Sequence, residues 1–418
     1  MVKLEISNSN YAATVVKVRH TQSLQGLDRL VGLSFFGCTA LVSKDTQAGS
    51  LGILFTAGTQ LSEDFCHHNN MFRHKEKNKD QEKVGYIEDN RRVKAIKFRG
   101  NPSSALFVSI DSLAYLGVDV SKLKEGDIFT SIDGVEVCRK FVLKQRGVSR
   151  ANKIRNPQFC RVEPKLFPEH FDTENWWKNE HKIGEDETII VTQKLHGTSV
   201  RFTRQAVSRK PTIVDRIANF FGACIAKKEY ANLVGTRRTI RDPEVETFYE
   251  QDVWMEHMDY LVPILPKNWV VYGEIIGWAG GSKIQHNYDY RHAQGQSSLY
   301  VYRIAVVNED GISVDVSWDG VRKWCDENGL QAVPELWRGK KSDFNVDMYL
   351  NTRYVETLAI SNAVPLSDES PCDEGVCVRV EGLTPYVLKA KSPAFLEYES
   401  GAADKEIVDI EEEQGALS

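Results

Sequence analysis

Lys194, in the turn-like segment Lys194-Leu195-His196-Gly197-Thr198-Ser199, is placed among residue types that would let it act as a nucleophile. An amine attacks phosphorus only when neutral, so a lysine with an ordinary pKa of about 10.4 needs nearby cations or desolvation to shed its proton. Lys389 and Lys391, separated by Ala390, fall on one face of an extended strand, where both can meet a phosphate in flight. Glu374, next to Asp373 at the opening of an apolar run, is a carboxylate suited to hold a magnesium ion or its waters against that phosphate. Each signal alone is weak: a lone lysine in such a turn is commonly a surface residue, and a Lys-x-Lys pair is commonly a solvated strand face.

Their order strengthens them. Lys194-Leu195-His196-Gly197 is followed by Gly235-Thr236-Arg237-Arg238, Val270-Val271-Tyr272-Gly273-Glu274, Tyr300-Val301-Tyr302, Asp373-Glu374-Gly375-Val376 and Leu388-Lys389-Ala390-Lys391. In this order and at these separations they resemble the motifs of the covalent nucleotidyltransferase superfamily: ATP-dependent DNA ligases, RNA ligases and GTP-dependent capping enzymes. The resemblance implies Lys194 as the catalytic residue that becomes lysyl-AMP, within an ATP/AMP site of Gln193, Lys194, His196, Gly197, Glu274, Tyr302, Glu374, Lys389 and Lys391. It implies ribose contact by Glu274, base stacking by Tyr302 (Tyr300 being the second choice), RNA phosphate contact by Arg237 and Arg238, and a Mg2+ or Mn2+ ion near Glu374 and Glu274. Nothing matches GxxxxGK[ST], so ATP would bind without a P-loop. The Gly-rich stretch Gly277 to Lys283 reads as a hairpin or loop beside a strand.

Only 27 residues follow Lys391 (418 minus 391), and they are largely acidic, too little for the C-terminal OB domain of DNA ligases and capping enzymes. A β-rich stretch instead precedes the motifs. That arrangement, with Val15 to Arg19, Gly26 to Leu30 and Arg91 to Gly100, looks like the RNA ligase family typified by the Deinococcus and Naegleria enzymes, over residues 10 to 395. His196 stands where most of the superfamily has Asp; His also occurs there in the phage T4 type of RNA ligase, and it either organises metal waters, orients Lys194 or shapes the turn. Arg303 stands where an acidic residue often follows the stacking aromatic.

The expected activity is ATP-dependent joining of RNA 3'-OH and 5'-phosphate ends, in RNA repair, with a nicked duplex as one substrate form. The rival readings are a DNA ligase, a capping-type guanylyltransferase, or a non-catalytic RNA-binding protein with a decayed catalytic domain. A monomer without membrane contact is expected.

The elements that must position these residues read as α+β. Short β-rich runs at Ala12 to Val18, Ser34 to Val42 and Leu51 to Thr56 suggest an N-terminal OB-like β-barrel over residues 1–165 that binds RNA. Residues 66–93, rich in charge, read as an exposed loop or a short solvated helix, and Cys66, His67, His68 and His74 within it as loop residues rather than a metal site. A nucleotidyltransferase domain of antiparallel sheets with helices is expected over 166–400, its strands at Thr188 to Thr192, Trp269 to Tyr272, Leu299 to Val307, Gly375 to Val380 and Tyr386 to Ala390. Apolar spacing near 3.6 over 213–226 predicts a packing helix, and Val321 to Asn328 a short helix ended by Gly329. Residues 401–418 read as an acidic tail without enough apolar surface to fold.

Hydrophobic residues at 41%, charged residues at 27% and a net charge of -5 give no global signature of a polyanion binder, so any basic surface is local. Residues 201–241 hold ten basic residues against Asp215 and Glu229, which predicts a phosphate-binding stretch. Eight cysteines without a CxxC pair fit free thiols in a reducing compartment, and the absence of any apolar run of about 18 residues or of a signal-peptide core points to the cytosol.

Overall fold

The computed structural model describes residues 2–142, 162–209, 212–221, 227–237, 239–241, 251–285, 288–367 and 369–405. The chain is mixed α+β with mainly antiparallel sheets and divides into two compact units. One comprises residues 1–143, 174–181 and 391–407; the other comprises 144–173, 182–390 and 408–418. The first unit thus takes in residues 174–181 and 391–400, which read from the sequence as parts of the second domain, and the start of the segment read as a tail.

In the first unit a seven-stranded sheet runs in the order Ile128–Phe129, Ala13–Lys17, Leu51–Thr56, Ala105–Ser109, Cys38–Ser43, Leu30–Phe35, Gln22–Ser23. The apolar run from Ser34 to Val42 is two strands, not one: Phe36 (φ 51) and Gly37 (φ 72) take left-handed conformations and turn the chain back into a hairpin. Residues 66–93 differ from expectation. Cys66, Met71, Phe72, Ile87 and Val93 join Phe55, Phe65 and Phe129 in the core, while the lysines between them face water. Buried Asn78 holds that segment folded, its side chain bonding Phe72 N, Phe72 O and Lys83 O at 2.8–2.9 Å. Helix Glu63–His68 is capped by the Ser62 hydroxyl.

The helix Pro393–Asp404 runs four residues into the segment read as an acidic tail. Its order has local causes: Phe395 is fully buried, Ser400 Oγ accepts from Ala95 N at 2.9 Å, and Asp404 pairs with Lys94. Residues 406–418 lie outside the described residues.

The second unit holds two sheets. One runs Lys228–Gly235, Thr198–Ser208, Trp269–Ala279, Ser297–Val307, Ser313–Asp315; the other runs Tyr386–Lys391, Gly375–Val380, Thr188–Gln193, Glu335–Lys340. The Gly277 to Lys283 stretch is a hairpin, Ala279 pairing with Ser282 through a turn at Gly280 (φ 59). Helix Trp318–Glu327 starts earlier than its apolar spacing suggests, because Ser317 caps Gly320 N and Trp318 is buried; it ends at Gly329 (φ 65).

Helix Ile213–Phe220 forms, with Thr212 and Asp215 bonding each other's backbone N–H groups as a capping pair. Its apolar face is not packed: Ile213, Val214, Ile217 and Phe220 are all more than half exposed. The spacing therefore specifies a helix without specifying what covers it. No described helix is long and apolar enough to cross a membrane.

Candidate active site

The segment from Lys194 to Gly197 crosses from one sheet of the second unit to the other, between the strands Thr188–Gln193 and Thr198–Ser208. Each side is locked by backbone bonds. Gln193 pairs with Val376 across the ladder, and Lys194 N donates to Gly375 O at 2.9 Å. Gly375 takes φ +142, a conformation favouring glycine, and so Glu374 is delivered beside the lysine. Lys194 Nζ lies 2.7 Å from Glu374 Oε1, and the glutamate side chain is 1% exposed.

On the other side, Ser199 pairs with Glu274, which pairs with Tyr300 on the next strand. A bulge at Tyr272/Gly273 interrupts the ladder just before Glu274 and re-aims its side chain. Glu274 Oε1 accepts from Gly197 N at 3.0 Å and Oε2 from the Ser199 hydroxyl at 3.3 Å. Gly197 is required by space: a Cβ there would sit 2.2 Å from Ile275 O.

A cavity of about 160 Å³ opens beside these groups, lined among others by Thr192, Gln193, Lys194, Ser199, Glu274, Tyr302, Arg237 and Cys377. Tyr300 lines a separate cavity with Arg322 and Pro334. Burial pushes up the pKa of the Cys377 thiol, and the charges of Lys194, Glu374, Lys389 and Glu274 all act on it, which brings Lys389 into the same neighbourhood. Lys389 alternates with buried Leu388 and Ala390, as period two requires. Lys391 ends that strand in the first unit, where its Nζ pairs with Glu399 at 3.0 Å.

Gln193 lines the cavity, but its amide is engaged by protein: Nε2 donates to Asp373 Oδ1 at 2.7 Å and to Val364 O at 3.0 Å, while Oε1 accepts from Val364 N. Asp373 also accepts from Tyr354 N, and its pKa is raised by burial to about 6. His196 N donates to Tyr290 OH at 2.7 Å, and its ring lies edge-on to Tyr288. Its Nδ1 is 3.9 Å from Glu374, beyond hydrogen-bond reach but close enough to feel that charge.

Arg237 reaches the cavity tied to Asp172 at 2.5 Å, and Arg238 lies outside the described residues. The basic stretch of 201–241 is not one open surface. Arg201 is 2% exposed and donates to Thr236 O and Phe167 O, Arg209 is paired with Asp215, Lys228 with Glu163 and Arg241 with Asp252. Counting charges does not distinguish a buried or paired guanidinium from a free one. Arg303 pairs bidentately with buried Asp315 and lies between the rings of Phe171 and Tyr272. Its charge is thus neutralised by the neighbouring strand.

Sequence reasoning passed over residues 167–173. His170, Phe171 and Thr173 line the cavity, His170 bonded to Tyr302 OH at 2.6 Å. They lie just past the domain boundary read near residue 165, where no motif singles them out. In the first unit, His67 bonds Lys77 O, His68 bonds Asp64 O and His74 bonds Asp89, so each histidine of that segment has its own local partner, while Cys66 is buried in the core.

A family model described as RNA ligase matches residues 187–391, the span from the first catalytic strand to Lys391. No curated protein matches. Among solved structures, two mutants of a Naegleria gruberi RNA ligase, one with AMP and Mn and one with ATP and Mn, align with a TM-score of 0.58. Each is 15% identical and covers 92% of this chain and 98% of that one. The same enzyme with PPi aligns with a TM-score of 0.56 at 16% identity, covering 94% and 99%. At that identity the likeness establishes the fold.

Proposed function

We propose, from the match of residues 187–391 to a family model described as RNA ligase, that this chain joins RNA 3'-OH and 5'-phosphate ends through a lysyl-AMP on Lys194. The supporting observation is the sheet-to-sheet crossover that sets Lys194 against Glu374 on one side and Glu274 on the other, at a cavity also lined by Tyr302. Lys194 Nζ attacks the α-phosphorus of ATP and pyrophosphate leaves; the 5'-phosphate oxygen of RNA then takes the AMP; finally the 3'-OH attacks that activated phosphorus and AMP leaves. Positioning and charge neutralisation do most of the work in such transfers.

Glu374 holds the Nζ in place before attack, and its carboxylate, 2.7 Å away, can accept the proton the amine must lose. Glu274, anchored by Gly197 N and Ser199, faces the ribose; Tyr302 stacks on the base; Lys389 and Lys391 meet the phosphates; Arg237 and Arg238 meet the RNA. A divalent cation fits the donor set: both carboxylates are hard oxygen donors, the kind that Mg2+ or Mn2+ takes beside substrate phosphates and water. Held by Glu374 and Glu274, it would supply positive charge at the reacting phosphate and loosen the grip of Glu374 on the lysine. The Naegleria gruberi RNA ligase mutant with ATP and Mn supports ATP and a divalent cation as the cofactors.

Residues 1–165 are proposed as an OB-like module that binds RNA beside the break, with residues 166–400 as the adenylation domain, acting as a monomer in the cytosol. Labelling with ATP radioactive at the α-phosphate tests the chemistry: wild-type protein becomes labelled and Lys194→Ala does not. Labelling by GTP and not ATP would indicate a capping-type guanylyltransferase. Sealing of matched nicks only in DNA would indicate a DNA ligase.

A further inference from the structure

His170 sits in the wall of the cavity beside Tyr302, Phe171, Arg237, Arg303 and Tyr272. One ring nitrogen, Nδ1, is bonded to Tyr302 OH at 2.6 Å. The other, Nε2, is buried and has no hydrogen-bond partner among the described residues. Buried polar atoms without partners are rare, and one in the wall of a substrate cavity calls for a ligand atom. The ring is fixed on two sides, by the Tyr302 bond and by an edge-on contact with Tyr272 at 5.0 Å. Burial holds its pKa well below the usual histidine range, and Arg201, Arg237 and Arg303 press it further, so the imidazole is neutral.

We infer that His170 reads the edge of the nucleotide base and selects adenine over guanine, an inference that rests on the reading of this cavity as the site where Tyr302 stacks on the base. A neutral imidazole has one donor and one acceptor nitrogen, and the Tyr302 bond decides which is which. If Tyr302 donates, Nε2 carries the proton and donates to adenine N1, where guanine offers an opposing N1–H. If Tyr302 accepts, Nε2 accepts from the adenine 6-amino group, where guanine offers an opposing carbonyl oxygen. Both tautomers favour adenine, because the two purines invert donor and acceptor along that edge. A site built around such a bond rejects the mismatched base by leaving buried groups unpaired.

The test measures equilibrium binding of ATP, GTP and purine riboside triphosphate, which lacks the amino group, to Lys194→Ala protein with and without His170→Phe. Adenylylation of the Lys194-bearing proteins is followed in parallel. His170→Phe is expected to weaken ATP binding about tenfold, as for loss of one neutral hydrogen bond. GTP binding should hold or improve and the saturating rate with ATP should change little. His170→Gln, which keeps a donor and an acceptor, should restore part of the preference, and it serves if the Phe variant does not fold. Weak binding of purine riboside triphosphate by the unsubstituted site identifies Nε2 as the acceptor; binding equal to that of ATP identifies it as the donor. An ATP-to-GTP binding ratio unchanged by His170→Phe and His170→Gln would overturn the inference and leave His170 a packing residue. Absence of labelling by ATP in wild type would instead sink the proposed ligase chemistry, and the binding ratio would still decide the role of His170.

Discussion

Lys194 Nζ and Glu374 Oε1 stand 2.7 Å apart, with the carboxylate almost wholly buried. The lysine is therefore held by a charged hydrogen bond in a poorly solvated place, where such bonds are strong and directional. Glu374→Gln should lower the rate of lysyl-adenylate formation by about 100- to 1000-fold, the range for losing one preorganised electrostatic partner. Lys194→Arg should give no adenylate at all, since a guanidinium stays protonated. Single-turnover labelling reads both; near wild-type labelling of Glu374→Gln would remove Glu374 from the chemistry.

Gly197→Ala should damage both fold and activity. Its added Cβ would lie 2.2 Å from Ile275 O, a backbone atom of a central strand that has little freedom to retreat. Overpacking of this kind costs about 1–3 kcal/mol, and the bond from Gly197 N to Glu274 would be displaced with it. A lowered melting temperature together with lost labelling is the expected result.

Arg303 and Asp315 form a buried pair whose side chains are 8% and 1% exposed. Asp315→Ala would leave the guanidinium without its countercharge, at a cost of about 3–5 kcal/mol. Joint replacement, Arg303→Met with Asp315→Ala, should recover much of that loss. Urea unfolding of the two single variants and the double variant checks the coupling.

His257 makes stability depend on pH. Burial lowers its pKa from 6.5 to about 4, and Nε2 bonds the Ser297 hydroxyl at 3.0 Å. The folded chain therefore binds this proton less tightly than the unfolded chain. The contribution is complete above pH 6.5 and is lost as pH falls towards 4. By pH 5 the loss amounts to about 2 kcal/mol. Denaturant melts between pH 7 and pH 5 should show that slope in wild type and a shallower one in His257→Gln, which keeps a polar partner for Ser297 without titrating.

The strands of the site were legible in the sequence because each carries an apolar run; Lys194 and Glu374 lie just beyond strand ends, whereas Glu274 and Lys389 lie within their strands. The hairpin at Phe36-Gly37 was not legible, since a positive φ at Phe36 has no sequence signature of its own. The charged segment 66–93 misled for a related reason: its lysines face water while Met71, Phe72 and Ile87 between them are buried, and composition averages the two. The exposed face of Ile213–Phe220 erred in the opposite direction, because helical spacing reports a stripe and not its partner.

By itself the sequence determined which chemical groups exist and in what order, and the resemblance carried by that order grouped Lys194, Glu274, Glu374 and Lys389 as one candidate set. Only the tertiary structure decided which atoms meet: Lys194 with Glu374, Gly197 with Glu274 across 77 residues, and Tyr302 with His170 across 132. The reason is physical. Residue type and local spacing express short-range preferences, whereas strand register, the bulge at Gly273 and the crossover between sheets are set by backbone pairing between distant segments, and that pairing brings Lys194 to Glu374.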